Sequence, residues 1–525
     1  MTILTYHERS KHRLRAYAPG PGHLDWATQP DPFRRFEGAA RTELPLVADR
    51  LDARFGDLRA GRLPAPWPLD RDGIGALFEL SLGLSAWKQY GASRWALRCN
   101  PSSGNLHPTE AYLLSPALPG LDAGVHHYLS LEHCLERRAA LDWPAGLPGV
   151  LLGLSSIHWR EAWKYGMRAF RYCQHDCGHA IAAIAYAAAA LGWKTRLMDD
   201  PGDSELAALL GTDRAQDFVD GEAEAADCLI HMCAGPDAGP RGRTLPAPSE
   251  WQGRALRLSH GHRDWPDIGL AHHASLKPKT LLEAEWPAPA LPPVMVPALD
   301  LQVARIVRQR RSAVAFDGET AMSAESFFAL LDATLPRSGA APWLAWPHRP
   351  AVHLALFVHR VEGLDAGLYL LLRDAADRQE LQAAMRPDWL WRKAGPAHMP
   401  LWLLLPADLR EAARTVSCHQ DIAADSCFSL GMLARFRGVA EEPWRYRRLY
   451  WECGMIGQVL YLEAEAAGLR GTGIGCFFDD EMHHLLGLRA SAWQSLYHFT
   501  VGGHVDDPRL TMLPPYPPRV GKEAG

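Results

Sequence analysis

Apolar residues recur at helical spacing over residues 74–87 and 323–334, and a series of short apolar runs follows each of these stretches. The runs predict strands over residues 110–114, 125–129, 149–154 and 228–233 in the first half of the chain and over 352–358, 368–372, 400–405 and 495–501 in the second. An Ala-rich run over residues 180–193 predicts a buried helix that is too short to span a bilayer. Helices and strands follow one another in the same order in both halves, which predicts an α+β fold with a mixed sheet.

The two halves also share individual residues. A set of matches at one constant spacing of 276 positions includes Gly178 with Gly454 and Gly211 with Gly487. Two further patterns recur at other spacings, Gly-Leu-Asp-Ala-Gly at 120–124 and 363–367 and His-x-x-x-Gly at 231–235 and 498–502. A matching order with drifting spacing predicts a tandem duplication, in which two homologous domains pack about a pseudo-twofold axis.

The duplication predicts four segments along the chain. They are an N-terminal arm over residues 1–60, a first repeat over 61–235, a Pro-rich connector over 236–297, and a second repeat with a C-terminal tail over 298–525.

Composition narrows the possible partners. Apolar residues make up 47% of the chain and charged residues 22%, which is typical of a globular protein. A formal net charge of −5 gives no bulk attraction for nucleic acid or an anionic membrane, so we expect neither as a partner. Ten cysteines with no signal-peptide pattern at the N-terminus predict reduced thiols and a cytoplasmic location.

A polar loop precedes the predicted strand at 110–114. It carries Ser102, Ser103, Gly104 and Asn105, which together offer two hydroxyls, a flexible glycine and an amide. Such a loop can direct hydrogen-bond donors at a polar ring edge or a phosphate. Taken alone, the same residues also fit a plain turn.

Two motifs in the second half complement this loop. Arg310, Arg311 and Ser312 follow a helix pattern and suit a phosphate, because guanidinium groups bind its oxygens in pairs, although a solvated helix end is the alternative. Gly473, Ile474 and Gly475 belong to a glycine-rich run that lacks the spacing and the acidic partner of a dinucleotide fingerprint, which excludes a Rossmann interpretation.

Residues 173–179 contain two cysteines and two histidines that could each bind a metal. On a helix, however, the cysteines and the histidines pair on different faces, so the four side chains cannot share one ion. We therefore expect no metal site.

Taken in order, these motifs resemble the nitroreductase superfamily of FMN oxidoreductases, and most closely its tandem-repeat branch related to the SagB-type azoline dehydrogenases. The resemblance rests on segments 6–12, 101–108, 163–172, 310–312, 363–369 and 473–475 and covers nearly the whole chain. It implies two nitroreductase-like repeats, each a mixed or antiparallel sheet flanked by helices, that form an intramolecular pseudo-dimer.

The resemblance also implies that FMN binds between the repeats. One composite site would combine Arg310, Arg311, Ser312, Gly473, Ile474 and Gly475 of the second repeat with Ser102, Ser103, Gly104 and Asn105 of the first. The mirror site has no Ser-Ser-x-Asn loop over residues 342–349, and its Gly-x-Gly position is interpreted as residues 192–196. We therefore expect one FMN per chain.

Lys164 and Tyr165 resemble the Lys-Tyr pair of azoline dehydrogenases, where a base assists hydride loss to flavin N5. The alternative is a surface lysine beside a packed tyrosine. In the second repeat, Arg445-Tyr446 are expected at the position that corresponds to Lys164-Tyr165. The predicted function is an FMN-dependent oxidoreductase that uses NAD(P)H or oxidises a small-molecule or peptide-derived substrate of the azoline type. A degenerate binding or scaffold subunit and a flavin-transforming enzyme are the alternatives, and further homo-oligomerisation stays open.

Overall fold

The structure, a computed structural model, describes residues 1–235, 242, 244–281, 283–295, 300–488 and 491–517. Parts of the predicted connector and of the predicted second repeat with its tail, namely residues 236–241, 243, 282, 296–299, 489–490 and 518–525, lie outside the described residues.

The first half contains a long central helix and two layers of strands. Its helices are α1 Ile3–Arg9, α2 Phe55–Arg59, α3 Arg71–Ser81, α4 His158–Tyr165, α5 Ala169–Ala190, α6 Asp203–Leu210 and α7 Pro266–Ala274. Its strands are β1 Phe36–Glu37, β2 Ala40–Glu43, β3 Leu84–Tyr90, β4 Ser93–Arg98, β5 Thr109–Ser115, β6 Gly124–Leu129, β7 Cys134–Asp142, β8 Val150–Ser156, β9 Lys194–Met198, β10 Ala225–Cys233, β11 Ala247–Ser249 and β12 Arg254–Ala255.

The second half repeats this plan. Its helices are α8 Val303–Gln309, α9 Ala324–Thr334, α10 Arg378–Ala384, α11 Arg410–Val416, α12 Asp421–Ala424, α13 Arg445–Ala466 and α14 Asp479–Leu486. Its strands are β13 Met322–Ser323, β14 Val352–Val358, β15 Val361–Glu362, β16 Gly367–Leu371, β17 Arg392–Ala394, β18 Leu401–Pro406, β19 Phe428–Arg435, β20 Arg470–Ile474, β21 Trp493–Gly502 and β22 Thr511–Leu513.

Each half is built on one antiparallel sheet, and the two sheets share a strand order. The first runs β11-β7-β6-β5-β8-β10-β9, with β2 also paired to β7, and the second runs β17-β18-β16-β14-β19-β21-β20. The α+β prediction with two similar repeats is confirmed. The sequence matched residues 149–154 with 400–405, which is wrong, because β8 occupies the place of β19 whereas β18 occupies the place of β7.

One predicted helix is too long. The pattern over residues 74–87 predicts a single helix, but α3 ends at Ser81 and β3 begins at Leu84. The N–H groups of Leu82 and Gly83 both bond to the Phe78 carbonyl, which closes the last turn. Beyond it, β3 pairs with β4 and with β22 from the far end of the chain, and this tertiary pairing overrides the helical spacing.

Three consecutive elements of each repeat correspond without any insertion. Helices α5 and α13 both have 22 residues, β9 and β20 both have 5, and α6 and α14 both have 8. All three pairs are separated by the same 276 positions. The constant spacing that the sequence shows therefore spans one continuous structural unit from α5 to the end of α6.

The two long helices pack against each other at equivalent points. A β-carbon on Gly178 would lie 2.2 Å from the Trp451 carbonyl oxygen, and one on Gly454 would lie 2.2 Å from the His175 carbonyl oxygen. Gly178 corresponds to Gly454, and His175 corresponds to Trp451. The contact is thus reciprocal, as it is at the interface of a symmetric dimer. The largest hydrophobic cluster includes buried residues of both helices, so one core joins the halves.

The predicted arm lies across both halves. The Tyr6 hydroxyl donates to the Met167 carbonyl in the first half at 2.7 Å, and His7 Nε2 lies 3.0 Å from Gln494 Oε1 in the second. Among the described residues, no helix is both long and apolar enough to cross a membrane.

Candidate functional site

A cavity of about 300 Å³ lies between the two halves. Its first-half lining is Pro101, Ser102, Ser103, Gly104, Tyr165, Tyr172, Asp176 and His179, and its second-half lining is Ser312, Gln420, Tyr461, Thr472, Gly473, Ile474, Gly475, Cys476 and Tyr497. The structure therefore brings the predicted serine loop, the glycine strand, Ser312 and Tyr165 to one place. The other predicted site residues, Asn105, Lys164, Arg310 and Arg311, are not part of this lining.

The serine loop is held against helix α5. Ser103 donates to Asp176 Oδ1 from both its backbone N–H and its hydroxyl, each at 3.1 Å. Gly104 takes a left-handed backbone with φ of 60°, which a glycine adopts without strain. Asn105 turns away from the cavity, because its Nδ2 donates to the Ala96 carbonyl at 2.9 Å. Asn105 therefore holds the loop's shape in this structure and points no donor into the cavity.

Asp176 gives the cavity a titratable group. Burial raises the pKa of its carboxyl to about 7, although its hydrogen bonds from Ser102 and Ser103 oppose this shift. Glu161 on α4 is fully buried as well, and burial together with the nearby Asp176 raises the pKa of its carboxyl well above the ordinary value. A carboxyl with such a pKa, linked to Ser103, can take up or release a proton at the cavity wall near neutral pH.

The opposite wall consists of β20 and the residues that follow it. The Gly473 N–H donates to the Tyr461 hydroxyl at 2.9 Å, and this hydroxyl also lies 2.9 Å from Ser312 Oγ. A β-carbon on Gly473 would lie 1.9 Å from the Tyr497 hydroxyl, so this position requires glycine. The Gly475 carbonyl accepts from the Tyr172 hydroxyl at 3.0 Å, which ties the wall to the first half.

Arg310 anchors the base of the serine loop. Its Nε donates to the Cys99 carbonyl at 3.2 Å and its Nη2 donates to the Arg98 carbonyl at 3.0 Å. Its guanidinium also lies 5.0 Å from the centre of the Tyr461 ring. Arg310 therefore acts across the interface by positioning first-half backbone, and in this structure its donors do not reach the cavity.

Arg311 belongs to a cluster of cations. Its Nη1 donates to the carbonyls of Arg308 and Arg310, both at 2.7 Å, while its buried Nε has no hydrogen-bond partner. Burial and the neighbouring Arg310 lower the pKa of the Arg311 guanidinium to about 10. Burial, Arg311 and Arg470 also lower the pKa of Lys88. Burial is the larger cause of both shifts and the neighbouring cations add to it, so an anion such as a phosphate would be stabilised by these groups.

Comparison with known proteins identifies this architecture. A crystal structure from Anabaena variabilis, assigned as a nitroreductase, matches 96% of this chain and 99% of its own with a TM-score of 0.68 at 21% identity. The chain has the nitroreductase fold. Residues 307–503 also match the sequence model of the nitroreductase family.

Two partial matches have lower scores. One is the E. coli microcin synthetase McbBCD complex with truncated pro-MccB17 bound, at 22% identity, 33% of this chain, 67% of that chain and a TM-score of 0.27. The other is a Ralstonia eutropha protein assigned as a nitroreductase, at 17% identity, 43% of this chain, 98% of that chain and a TM-score of 0.29. No curated protein matches the chain.

Within the nitroreductase fold, Lys164 and Tyr165 end helix α4 beside the serine loop. A β-carbon on Gly104 would lie 2.7 Å from the Tyr165 hydroxyl and 3.1 Å from Lys164 Nζ. Burial raises the pKa of the Tyr165 hydroxyl well above its ordinary value, so this group stays protonated. Tyr165 is thus a hydroxyl donor at the cavity, and Lys164 lies behind the loop.

The sequence pairing of Lys164-Tyr165 with Arg445-Tyr446 is wrong. Helix α13 begins at Arg445, and the equal lengths of α5 and α13 pair Arg445 with Ala169. Residues 436–444, which would correspond to α4, form turns. The Lys-Tyr pair therefore has no counterpart in this part of the second half.

The mirror position of the glycine strand is also different from the predicted one. Because β9 and β20 correspond, Gly473–Gly475 match residues 197–199, which are Leu, Met and Asp, and do not match residues 192–196. A second cavity of about 710 Å³ has a lining that includes residues 194–196, 285–288, 336–339, 343–344 and 346–348. Leu197 is buried where the first site has a glycine, so this cavity lacks the close backbone approach of the first.

The helical Cys/His run is committed to packing and to the interface. His175 Nε2 lies 3.0 Å from the Leu496 carbonyl, and His179 Nε2 lies 3.2 Å from the Tyr497 hydroxyl. In the described part of the chain, one group has metal-binding spacing, namely Asp199, Glu283 and His348. Arg448 Nη1 approaches Glu283 Oε2 to 3.7 Å, and a fixed cation there opposes the binding of a metal ion.

Sequence reasoning did not find Asp176, Gln420, Tyr461, Tyr497 and Cys476 as lining residues. Asp176 lies inside the run at 173–179, which the sequence analysis considered only as a possible metal site because of its histidines and cysteines. Gln420 and Tyr497 had no local signal, because the fold alone brings α12's N-terminal loop and β21 to the cavity.

Proposed function

We propose that the chain is an FMN-dependent oxidoreductase of the nitroreductase type, with one FMN bound in the cavity between its halves. The observation that carries this proposal is the convergence of the serine loop, the glycine strand and a neighbouring cation cluster on one cavity. When bound, FMN would supply a hydride acceptor and donor at N5.

The donor set fits FMN in three respects. Ser102 and Ser103 offer hydroxyls to a polar ring edge. The backbone of Gly473 and Gly475 lines the cavity, and Tyr497 and Tyr172 fill the space that a β-carbon would need, so a flat ring would lie against a rigid wall. The Arg311 guanidinium suits a phosphate, provided that its side chain turns from its carbonyl partners towards the ligand.

The residues of this chain would bind and position the reactants, and one of them would hold and transfer a proton. Asp176 holds a proton that passes through the Ser103 hydroxyl to the cavity, since its pKa of about 7 allows both protonation states. The Tyr165 hydroxyl, next to Gly104, would donate a hydrogen bond to the ligand, and Lys164 adds positive charge beside it. We propose a substrate that is a small molecule or a cyclised, azoline-type peptide intermediate, with NAD(P)H as the alternative electron source.

An absorbance spectrum of the purified chain tests the proposal. We expect a bound flavin at one equivalent per chain after reconstitution with FMN, and bleaching when NAD(P)H or an azoline peptide is added. A Gly473→Ala variant should fail to retain FMN, because the added carbon meets Tyr497, whereas Gly269→Ala in α7 has open space and should behave as the parent.

The outcomes separate three functions. A chain that stays colourless after reconstitution is contrary to the proposal. A chain that retains FMN but shows no reduction by any donor would identify a degenerate binding subunit, which the loss of the glycine strand from the mirror position favours. Consumption of the flavin itself under oxygen would identify a flavin-transforming enzyme.

A further inference from the structure

Two cysteines differ from the other eight. Of the ten cysteines, all of which lie in described parts of the chain, only Cys418 and Cys476 are partly exposed. The segments that carry them touch, because Gln420, two residues after Cys418, donates from Nε2 to the Cys476 carbonyl at 3.0 Å, and each thiol shifts the pKa of the other. The only partly exposed thiols of the protein are therefore neighbours in space, although 58 positions separate them in the sequence.

Backbone contacts hold the two cysteine segments together. The Phe478 N–H donates to the Val416 carbonyl at 2.9 Å, and Gln420 Nε2 donates to the Cys476 carbonyl at 3.0 Å. Cys476 directly follows the glycine wall and lines the interdomain cavity, whereas Cys418 lies outside this lining. The pair thus connects the cavity wall with the segment that follows α11.

The surroundings make the two thiols unequal. His12, whose Nδ1 accepts from the Ala18 N–H at 2.9 Å, acts on the Cys476 thiol and lowers its pKa. Cys418, together with His12, lowers the pKa of the Cys476 thiol to about 5. Cys476 and burial raise the pKa of Cys418. A thiolate next to a neutral thiol is the arrangement of reactive dithiols.

A second cysteine pair provides an internal comparison. Cys177 Sγ and Cys228 Sγ lie 4.0 Å apart, but both side chains are buried in the first-half core. Burial raises the pKa of the Cys177 thiol well above its ordinary value. Proximity alone therefore does not distinguish Cys418 and Cys476. They differ from the buried pair because solvent reaches them and because the Cys476 thiol has a lowered pKa.

We propose that Cys418 and Cys476 form a redox-active pair that closes to an intramolecular disulfide on reaction with a small disulfide of the glutathione class. The Cys476 thiolate attacks one sulfur of the small disulfide, whose S–S bond breaks and releases one thiolate. The Cys418 sulfur then loses its proton, attacks the mixed disulfide at Cys476 and releases the second thiolate. The protein dithiol gives up two electrons and two protons, and the small disulfide becomes two thiols.

Closure of the pair would act on the cavity. A Cys418–Cys476 bond ties the residue after Gly475 covalently to the loop that carries Gln420, and Gln420 itself lines the cavity. The oxidation state of the pair would therefore set how far the glycine wall can move relative to this loop. This inference concerns the cysteines alone and does not depend on which ligand the cavity binds.

Peptide mapping of the whole protein tests the proposal. The purified chain is incubated with oxidised glutathione, alkylated without reduction, digested and examined by mass spectrometry. We expect a crosslink between the peptides of Cys418 and Cys476 that dithiothreitol reverses. Before oxidation, Cys476 should react with iodoacetamide at least about tenfold faster than Cys177.

Matched variants make the result decisive. Cys418→Ser should leave Cys476 as a mixed disulfide with glutathione and abolish the crosslink, whereas Cys177→Ser should leave the crosslink unchanged. Two results would overturn the proposal. Both cysteines could be found alkylated, which means that oxidised glutathione left them as free thiols, or each could carry glutathione without a crosslink between them. A crosslink that appears only in denaturant would overturn it as well, because it would come from the unfolded chain.

Discussion

Gly178 and Gly454 meet where helices α5 and α13 cross, and each would clash with the backbone of the opposite helix if it carried a side chain. The clash is reciprocal, with the Trp451 carbonyl on one side and the His175 carbonyl on the other, both at 2.2 Å. The closeness of the two halves, and hence the width of the cavity between them, depends on these two glycines.

We expect Gly178→Ala to destabilise the protein by at least about 3 kcal/mol, because the new methyl group meets rigid backbone that cannot move aside. Thermal or urea denaturation measures this change. Gly269→Ala in helix α7, where nothing lies within 4 Å, is the matched control and should be neutral or stabilising by up to about 1 kcal/mol. Equal effects of both variants would show that the crossing tolerates a side chain.

The sequence predicted the local elements of this fold better than their correspondence. Strand β14 was predicted over residues 352–358 as found, because its run is apolar apart from His353 and follows Pro350. The counterpart of the glycine strand in the first half was placed at residues 192–196, because Gly192 was matched with the glycines of Gly473–Gly475. Gly192 has φ of 72° just past α5 and corresponds to Gly468, which has φ of 73° just past α13. Both glycines follow a helix end and have no relation to Gly473.

In the candidate site, too, the local motifs were predicted from the sequence and the contacts made by tertiary packing were not. Its serine loop and glycine strand each carry a local motif, so both were predicted from the sequence. Asp176, Tyr497 and the Cys418–Cys476 pair become neighbours of the cavity only through the packing of α5 against the second half and through the contact of the 416–420 segment with residue 478. No short stretch of sequence records such contacts.

Asp479 neutralises two buried arginines of the other half. Arg168 Nη1 donates to its Oδ2 at 2.9 Å and Arg171 Nη1 to its Oδ1 at 2.6 Å. The corresponding pair, Arg447 with Asp203, lies at 2.5 Å on the opposite side. We expect Asp479→Asn to cost about 3–5 kcal/mol of stability, because it leaves two buried cations without a counter-charge.

The control for this variant is the adjacent Asp480→Asn. Asp480 is partly exposed and pairs with the exposed Arg13 and with the buried Lys11, which keeps a second carboxylate partner in Glu8, so its loss should cost no more than about 1 kcal/mol. Urea denaturation at neutral pH compares the two variants. If Asp480→Asn is as damaging as Asp479→Asn, the buried ion pairs are not what holds the halves together.

Arg311→Ala should weaken binding of FMN by about 2 kcal/mol, or roughly thirtyfold, through loss of a charge-assisted phosphate contact. Riboflavin lacks the phosphate, so its affinity should stay the same in the variant. Fluorescence titration with both ligands makes the comparison. Arg305→Ala, at an exposed position on helix α8 just before Arg311, is the control and should leave both affinities unchanged. Unchanged FMN affinity in Arg311→Ala would place the phosphate elsewhere.

Asp176 should make the stability of the protein depend on pH. Burial raises the pKa of its carboxyl from 3.8 to about 7 in the folded protein. Between these two pKa values the unfolded chain has already lost the proton that the folded protein still holds. The contribution of Asp176 to the free energy of unfolding is therefore complete below about pH 4 and is lost as the pH rises to 7. Asp176→Asn cannot ionise, and its stability relative to the parent should therefore rise across this window by a few kcal/mol and level off above pH 7. Urea denaturation of both proteins at pH 4 to 8 measures the difference, in which the contributions of other titrating groups cancel. A difference that stays flat over this range would show that Asp176 is already ionised in the folded protein and cannot store a proton for the cavity.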